Sequence, residues 1–297
     1  MPVPRVISYL IPSYNHAQFL PALLQNISLD IQSLTIAAEV IIIDDGSSDN
    51  SAALIKAWTE QEASKFKISC FYQKNRGLTA TLNQLISRAE GSYLRLCASD
   101  DIVLPGSSQR LYEQFLSNPQ LVCVLADARV IDEQERVLDE SSIAFHGGRV
   151  QSLLNPASLT KELIQHWCVA GPSHLIKKSH YERMLYNESS KIDDYDLFLS
   201  LLESPGKLTF INEKACLYRV HKTNTSKSKN RKKRIENIGS FLDIINKYLD
   251  RPILAKYLTS VKYLSKAKIY YLQRQYFRCL FSMGISMFFK IKSELKF

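Results

Sequence analysis

No stretch of this 297-residue chain approaches the roughly 20 consecutive apolar residues that cross a bilayer. Its most apolar late segment, CLFSMGISMFF (279–289), is about half that length. A secretory leader is missing as well. MPVPRVISYLIPSYN has only a short apolar run, no small-residue cleavage site and an early return to polar residues, so a cytoplasmic location is expected. Paired cysteines are absent. The six present (Cys70, Cys97, Cys123, Cys168, Cys216, Cys279) are scattered, mostly in apolar runs and without a C-x-x-C, which predicts buried thiols rather than disulfides or zinc. In such a compartment the N-x-[ST] matches at Asn26, Asn187 and Asn224 carry no glycosylation reading. A Gly-rich, Lys-bearing phosphate loop after the first strand is also lacking, which weighs against nucleotidyl transfer.

What is present is the composition of a folded, enzyme-sized protein, 45% hydrophobic and 23% charged. Its net charge of +9 is unevenly spread. Residues 222–297 hold 18 Lys/Arg against 4 Asp/Glu, a net +14, and residues 1–221 carry −5. The body is acidic and the tail basic. After the run KSKNRKKR (227–234) the pattern becomes helical, with one apolar stripe at Ile235, Ile238, Phe241, Ile245 and Leu249 and another at Leu254, Leu258, Val261 and Leu264. This tail, 227–297, reads either as a solvated linker with helices or as a segment lying on an anionic membrane, at roughly 1 kcal/mol per basic residue. Nucleic acid ranks lower as a partner because no recognisable nucleic-acid module accompanies the charge.

The body, 1–226, alternates strand and helix. VISYLIP (6–12), EVIIIDD (39–45), KISCFYQ (67–73) and YLRLCAS (93–99) are short apolar or β-branched runs, separated by helical patterns, the third of which is closed by Gly91. That rhythm predicts a parallel, doubly wound α/β sheet over residues 1–110, continued by an acceptor-side half over 111–226. Such sheets bind ligands beyond the carboxyl ends of their strands. Three of those ends carry polar clusters, PSYN (12–15), DDGSSDN (44–50) and SDD (99–101), so the site is placed before any chemistry is assigned.

Each cluster has two readings. Asp100 and Asp101 are turn formers or ligands for a hard divalent cation carrying a diphosphate. Asp44 and Asp45 cap a helix or read the N–H edge of a nucleobase, with Gly46 allowing close approach. Asp193 and Asp194, where DDYDLFLSLL begins, are helix caps or a general base. Arg219 and His221 in LYRVHKTNTS are structural hydrogen-bonding residues, or they offset phosphate charge and complete a metal shell.

In this order the pieces resemble the family-2 glycosyltransferases, which have the GT-A fold: a Rossmann-like, mostly parallel central sheet flanked by helices. VISYLIPSYNHAQFLPALLQNI looks like the family's opening strand and helix, EVIIIDDGSSDNS like its nucleotide-binding turn, and NRGLTATLNQLISRAEGSYLRLCASDDIVLPGS like its metal-motif segment. KIDDYDLFLSLL is similar to its catalytic helix start, and LYRVHKTNTS to a Y-R-x-H-x-x-N-x-S segment of bacterial members. The resemblance covers about residues 3–226. It implies an inverting transfer from a nucleotide-diphosphate sugar, a UDP-sugar by preference, to a lipid-linked or polysaccharide hydroxyl in surface-glycan assembly. It also implies a donor site of Pro12, Tyr14, Asn15, Asp44, Asp45, Arg76, Ser99 and Asp100. Mn2+ or Mg2+ would be held by Asp100, with His221 and Asp101 as further candidates, and Asp194 would be the general base. Two positions depart from the pattern. Ala98-Ser99-Asp100-Asp101 stands where many members read D-x-D-D, and Asp193-Asp194 stands where a Glu-Asp pair is usual. A non-catalytic nucleic-acid-binding protein and a nucleotidyltransferase are the competing functions.

Overall fold

The computed structural model describes residues 6–167, 169–190, 192, 194–221 and 230–294. Cys168, Asp193, the TNTS end of LYRVHKTNTS and the first part of the 227–234 basic run lie outside the described residues. The chain opens as β1 (Val6–Ser13), α1 (Leu20–Gln32), β2 (Ala37–Asp44), α2 (Ser51–Glu62), β3 (Lys67–Tyr72), α3 (Leu78–Arg88) and β4 (Tyr93–Leu96). These four strands lie in the order β3-β2-β1-β4, and all their pairings are parallel. Alternate residues of β1 feed opposite layers. Ile7, Tyr9 and Ile11 pack with Leu23 and Ile27 of α1, Ile55 of α2 and Tyr112, whereas Leu10 packs with Leu82 and Leu85 of α3, Leu163 and Leu197. A strand buried on both faces is therefore apolar throughout, which is why its sequence shows a run and not an alternation.

The second half adds β5 (Ile102–Val103), α4 (Ser107–Ser117), β6 (Leu121–Ile131), β7 (Val137–Asp139), α5 (Ser142–Phe145), α6 (Val150–Leu154), α7 (Pro156–Gln165), β8 (His174–Lys177), α8 (Asp194–Leu202) and β9 (Lys207–Arg219). The sheet continues from β4 through β8, β6 and β9 to β5, with β8 and β5 antiparallel to their neighbours and β9 parallel to β6. The expected α/β class is observed, and mixed pairing is confined to this half. Arg95, on β4, lies wholly buried in this sheet. Its guanidinium meets Asp30 of α1 at 3.1 Å and donates to the Ala215 carbonyl on β9 at 2.8 Å, while Tyr9 donates to the same Asp30 at 2.7 Å. One ion pair thus ties β1, β4, α1 and β9 together.

Two sequence expectations change. Gly91 does not close α3, which ends at Arg88 with Ala89 already extended. It sits instead where β4 meets β1, and a Cβ there would lie 2.6 Å from the Val6 carbonyl oxygen, so only glycine fits. Leu264 does not face the core. The buried apolar positions of α10 (Pro252–Leu272) are Leu254, Leu258 and Ala267, of which the first two share a cluster with Ile244 and Ile245 of α9 (Arg231–Lys247), with Tyr248 just after it and with Tyr195 and Leu199 of α8. Lys247 and Tyr248 bond the carboxylate of Asp196 on α8 at 2.9 and 2.7 Å. A last helix, α11 (Tyr276–Glu294), lies on α10.

Candidate active site

Parallel pairing of β1 with β2 puts Ser13 opposite Asp44, and the ladder continues as the Asp45 N–H donates to the Ser13 carbonyl at 2.8 Å. Asp45 therefore begins the loop beyond the strand end. Its buried carboxylate accepts from Gln73 Nε2 (2.7 Å) and from the backbone N–H groups of Arg76 (2.8 Å) and Gly77 (2.9 Å). It pins the loop leading into α3, and Gly46 needs its positive φ of 78° to make this turn. Asp44 accepts from the Ser47 N–H at 2.9 Å through one oxygen. Its other oxygen and the Ser13 hydroxyl are buried without a hydrogen-bond partner, two orphans at neighbouring strand ends. Buried polar atoms are nearly always paired, so these two are the atoms of this edge that a ligand or water could satisfy.

The turn after β1 interlocks with this loop. Asn15 adopts a left-handed φ of 53°, donates its N–H to Ser47 Oγ at 2.9 Å and accepts from the Ser48 N–H at 2.7 Å. Tyr14 beside it is exposed, Pro12 is half-buried, and Arg76 reaches Glu188 at 3.6 Å.

Antiparallel pairing of β5 with β9 sets Ile102 opposite Leu217, so the residues just before β5 meet those just after β9. Asp100 and His221 accordingly pair, Oδ2 to Nε2, at 2.9 Å. His16, in the turn after β1, bonds Ser99 Oγ at 2.7 Å through Nδ1, and its ring stands perpendicular to that of His221, centroids 5.8 Å apart. One ligand atom from each of His16, Asp100 and His221 lies within 4.8 Å of the others. Such a set can take a divalent ion: the carboxylate suits Mn2+, while the two imidazoles make an ion that demands oxygen ligands, such as Mg2+, the poorer fit.

The adjacent carboxylates differ. Burial opposes the charge of Asp100, but the His221 hydrogen bond and the two imidazoles outweigh it and hold its carboxyl below the usual range. Burial and the neighbouring Asp100 charge push Asp101 well above that range. Asp101 is committed elsewhere, accepting the Arg219 N–H at 2.8 Å, and stands outside the three-residue cluster. Arg219 turns its charge inward. Its guanidinium is buried over the Phe19 ring and donates to the Asp100 carbonyl at 2.8 Å and to Glu135 at 3.0 Å, so it braces the Asp100 turn.

Asp194 opens α8, where a carboxylate is favoured by the helix dipole. Its Oδ2 accepts from Trp167 Nε1 at 2.7 Å and its Oδ1 from the Tyr195 N–H at 2.7 Å. Burial outweighs both bonds and raises its pKa above the ordinary carboxylate value. The segment before it is docked on α3. Thr79 Oγ1 donates to the carbonyls of Glu188 and Ser190, and Asn83 Nδ2 to that of Tyr186. The Asp45 loop and the approach to Asp194 thus share one support.

The structure brings Asn15, Asp44, Asp45, Arg76, Ser99, Asp100 and His221 to one edge of the sheet, the carboxyl ends of β1, β2 and β4. Sequence reasoning missed His16, Gln73 and Trp167. His16 follows PSYN directly, and its place in a strand-end cluster was the available signal. Trp167 lies 27 residues before Asp194 and carries no local signal.

The family model for glycosyl transferase family 2 matches residues 8–185. An uncharacterized glycosyltransferase from Nostoc is 27% identical over 229 residues, 75% of this chain and 67% of that protein. Chondroitin synthase of Escherichia coli is 28% identical over 254 residues, 85% of this chain but only 34% of the synthase, so the chain spans about a third of it. Among solved structures, Staphylococcus aureus TarS with UDP-GlcNAc has a TM-score of 0.64 at 13% identity, covering 88% of this chain and 72% of that one. The mannosyltransferase PcManGT of Pyrobaculum calidifontis, with GDP-Man and Mn2+, also scores 0.64, at 14% identity over 98% of this chain and 75% of its own. These two likenesses establish the fold.

Proposed function

Since the chain belongs to glycosyl transferase family 2 and is a glycosyltransferase, we propose that it transfers a sugar, with inversion, from a nucleoside-diphosphate sugar to an acceptor hydroxyl. The observation that carries this reading is the meeting of Asp100 with His221 and His16 beside the Asp45 loop, at the strand ends where doubly wound sheets take nucleotides. Solved neighbours hold UDP-GlcNAc or GDP-Man, which supports a sugar nucleotide as donor.

Asp100, His221 and His16 would hold a divalent ion, Mn2+ in preference to Mg2+ because two of the three donors are imidazoles, and the bound ion would supply charge stabilisation for the departing diphosphate. Asp101 is left out of this shell because its carboxylate already bonds Arg219. Asp45 fixes the loop against which the base sits, the buried orphans of Asp44 and Ser13 lie next to it, and Tyr14, Asn15 and Arg76 border it. Asp194 takes the proton. As the acceptor oxygen forms its bond to the anomeric carbon, the bond from that carbon to the diphosphate oxygen breaks, and the electron pair leaves with the nucleoside diphosphate. A raised pKa makes Asp194 a stronger base than an exposed carboxylate.

The acceptor we propose is a lipid-linked or polysaccharide glycan handled at the inner face of an anionic membrane. The polymer-making relative and the basic charge of residues 222–297 support it. Nucleoside diphosphate released from UDP- and GDP-sugars, with water or a panel of glycans as acceptor, tests the reaction. We expect release by the wild type and none by Asp194→Asn, with donor binding retained. Equal turnover by the variant would remove Asp194 as base. Pyrophosphate release from a nucleoside triphosphate would instead make the protein a nucleotidyltransferase.

A further inference from the structure

Helix α11 is built inside out. The side it turns toward the protein carries Cys279, Ser282, Ser286 and Ser293, all buried. Ser286 donates to the Ser260 carbonyl of α10 at 2.8 Å, so the contact with α10 is made partly by small, polar groups. The opposite side carries Phe277, Leu280, Phe281, Met287, Phe288 and Ile291, each at least half exposed and Phe277 83% exposed. At 100° per residue these six fall within a third of the helix circumference, centred opposite the serines. Between α10 and α11 an open apolar trough of about 540 Å3, walled by Tyr263, Phe281, Phe288 and Phe289, widens the same surface.

Scattered exposed apolar residues are ordinary, but a continuous stripe of this kind on a soluble surface marks a binding face. Its rim identifies the occupant. Arg278 and Lys292 border the stripe on one side and Lys290 on the other. Residues 251–294 contain nine Lys/Arg and a single acid, Glu294, which Lys161 already holds at 2.9 Å. A second copy docking face to face would set one basic rim against another, an isologous contact that charge opposes. Negatively charged headgroups around an acyl phase satisfy both the rim and the stripe. No described helix is long and apolar enough to cross a membrane.

We propose that the outer face of α11 is a membrane-insertion surface, with the helix lying in the plane of an anionic leaflet and its phenylalanines in the acyl boundary. This rests on the reading of residues 227–297 as membrane-directed and assigns the apolar anchoring to one helix face. The test is co-sedimentation of the full chain with phosphatidylcholine vesicles, with and without phosphatidylglycerol, across salt. Two variants are compared: Phe281→Ser with Phe288→Ser, and Arg231, Lys232, Lys233 and Arg234 all changed to Gln. We expect wild type to sediment with anionic vesicles and the double Ser variant to lose about tenfold or more of its affinity at every salt concentration. The Gln variant should weaken chiefly at low salt. Wild-type binding by the double Ser variant alongside loss in the Gln variant would overturn the α11 assignment and leave the basic segment as the membrane contact. Failure of wild type to bind any vesicle would overturn both, and a wild-type dimer that the double Ser variant converts to monomer would make the face a subunit interface.

Discussion

At the scale of single residues, the site divides neighbouring charges into separate duties. Asp100 and Asp101 are adjacent in sequence, but one faces His221 and keeps its charge while the other accepts a backbone N–H and is pushed toward the protonated form. The same logic applies to Asp194, where burial raises the pKa and the Trp167 indole restrains it. Replacing Trp167 by Phe removes a hydrogen bond to the charged form, so the pKa should rise further. The acid limb of the pH–rate profile should then move to higher pH, with turnover recovering above it; an unmoved limb would separate Trp167 from the base. His174, on β8, offers a stability counterpart. Both its ring nitrogens are buried without partners, and burial, with the Arg95 charge adding, pushes its pKa down to about 3. The folded state then refuses a proton that the unfolded chain accepts below its ordinary value of 6.5. Stability should therefore fall as pH drops from that value toward 3, by up to about 1.4 kcal/mol per pH unit. Denaturant midpoints at neutral and acid pH should show a smaller acid loss in His174→Leu than in the wild type. Equal losses would contradict the assignment.

At the scale of elements, what could be read from sequence was what the local chain dictates. β1 to β4 and the helices between them announce themselves because strands buried on both faces are apolar runs and the helices carry a 3.6-residue stripe. β5 and β7, of two and three residues, have no periodicity to read, and the antiparallel entry of β8 between β4 and β6 is settled by distant partners. The pairing of Asp100 with His221, 121 residues apart, was legible only as two polar clusters at strand ends; β5 and β9 bring them together. Arg219 kept two readings for the same reason, since a sequence cannot tell a guanidinium aimed at a ligand from one stacked on Phe19. Gly91 shows the converse, a glycine read as a helix cap that is required by a strand contact. Gly91→Ala would press a methyl group onto β1 backbone, and we expect a loss of about 1–3 kcal/mol, seen as a lower Tm. An unchanged Tm would mean that β4 can move away from β1 at little cost.

At the scale of the whole molecule, the buried Asp30–Arg95 network and the parallel register of β1, β2 and β4 hold three strand ends side by side. The turn after β1 and the Asp45 loop then interlock above them. α7 and α8 supply Trp167's approach and Asp194 from the second half, and α9 and α10 are packed onto α8 through a shared apolar cluster. The central claim is that this edge holds a sugar nucleotide through its diphosphate and a metal gathered at Asp100. A ligand that binds only the native state raises the melting temperature. The measurement that tests the claim most directly is therefore thermal stabilisation of wild type and Asp100→Ala by UDP, GDP, dTDP and CMP, each with and without Mn2+. A manganese-dependent rise with one of the diphosphates is expected in the wild type, and its loss in the variant. No rise with any nucleotide, or a rise that survives removal of Asp100, would contradict the claim.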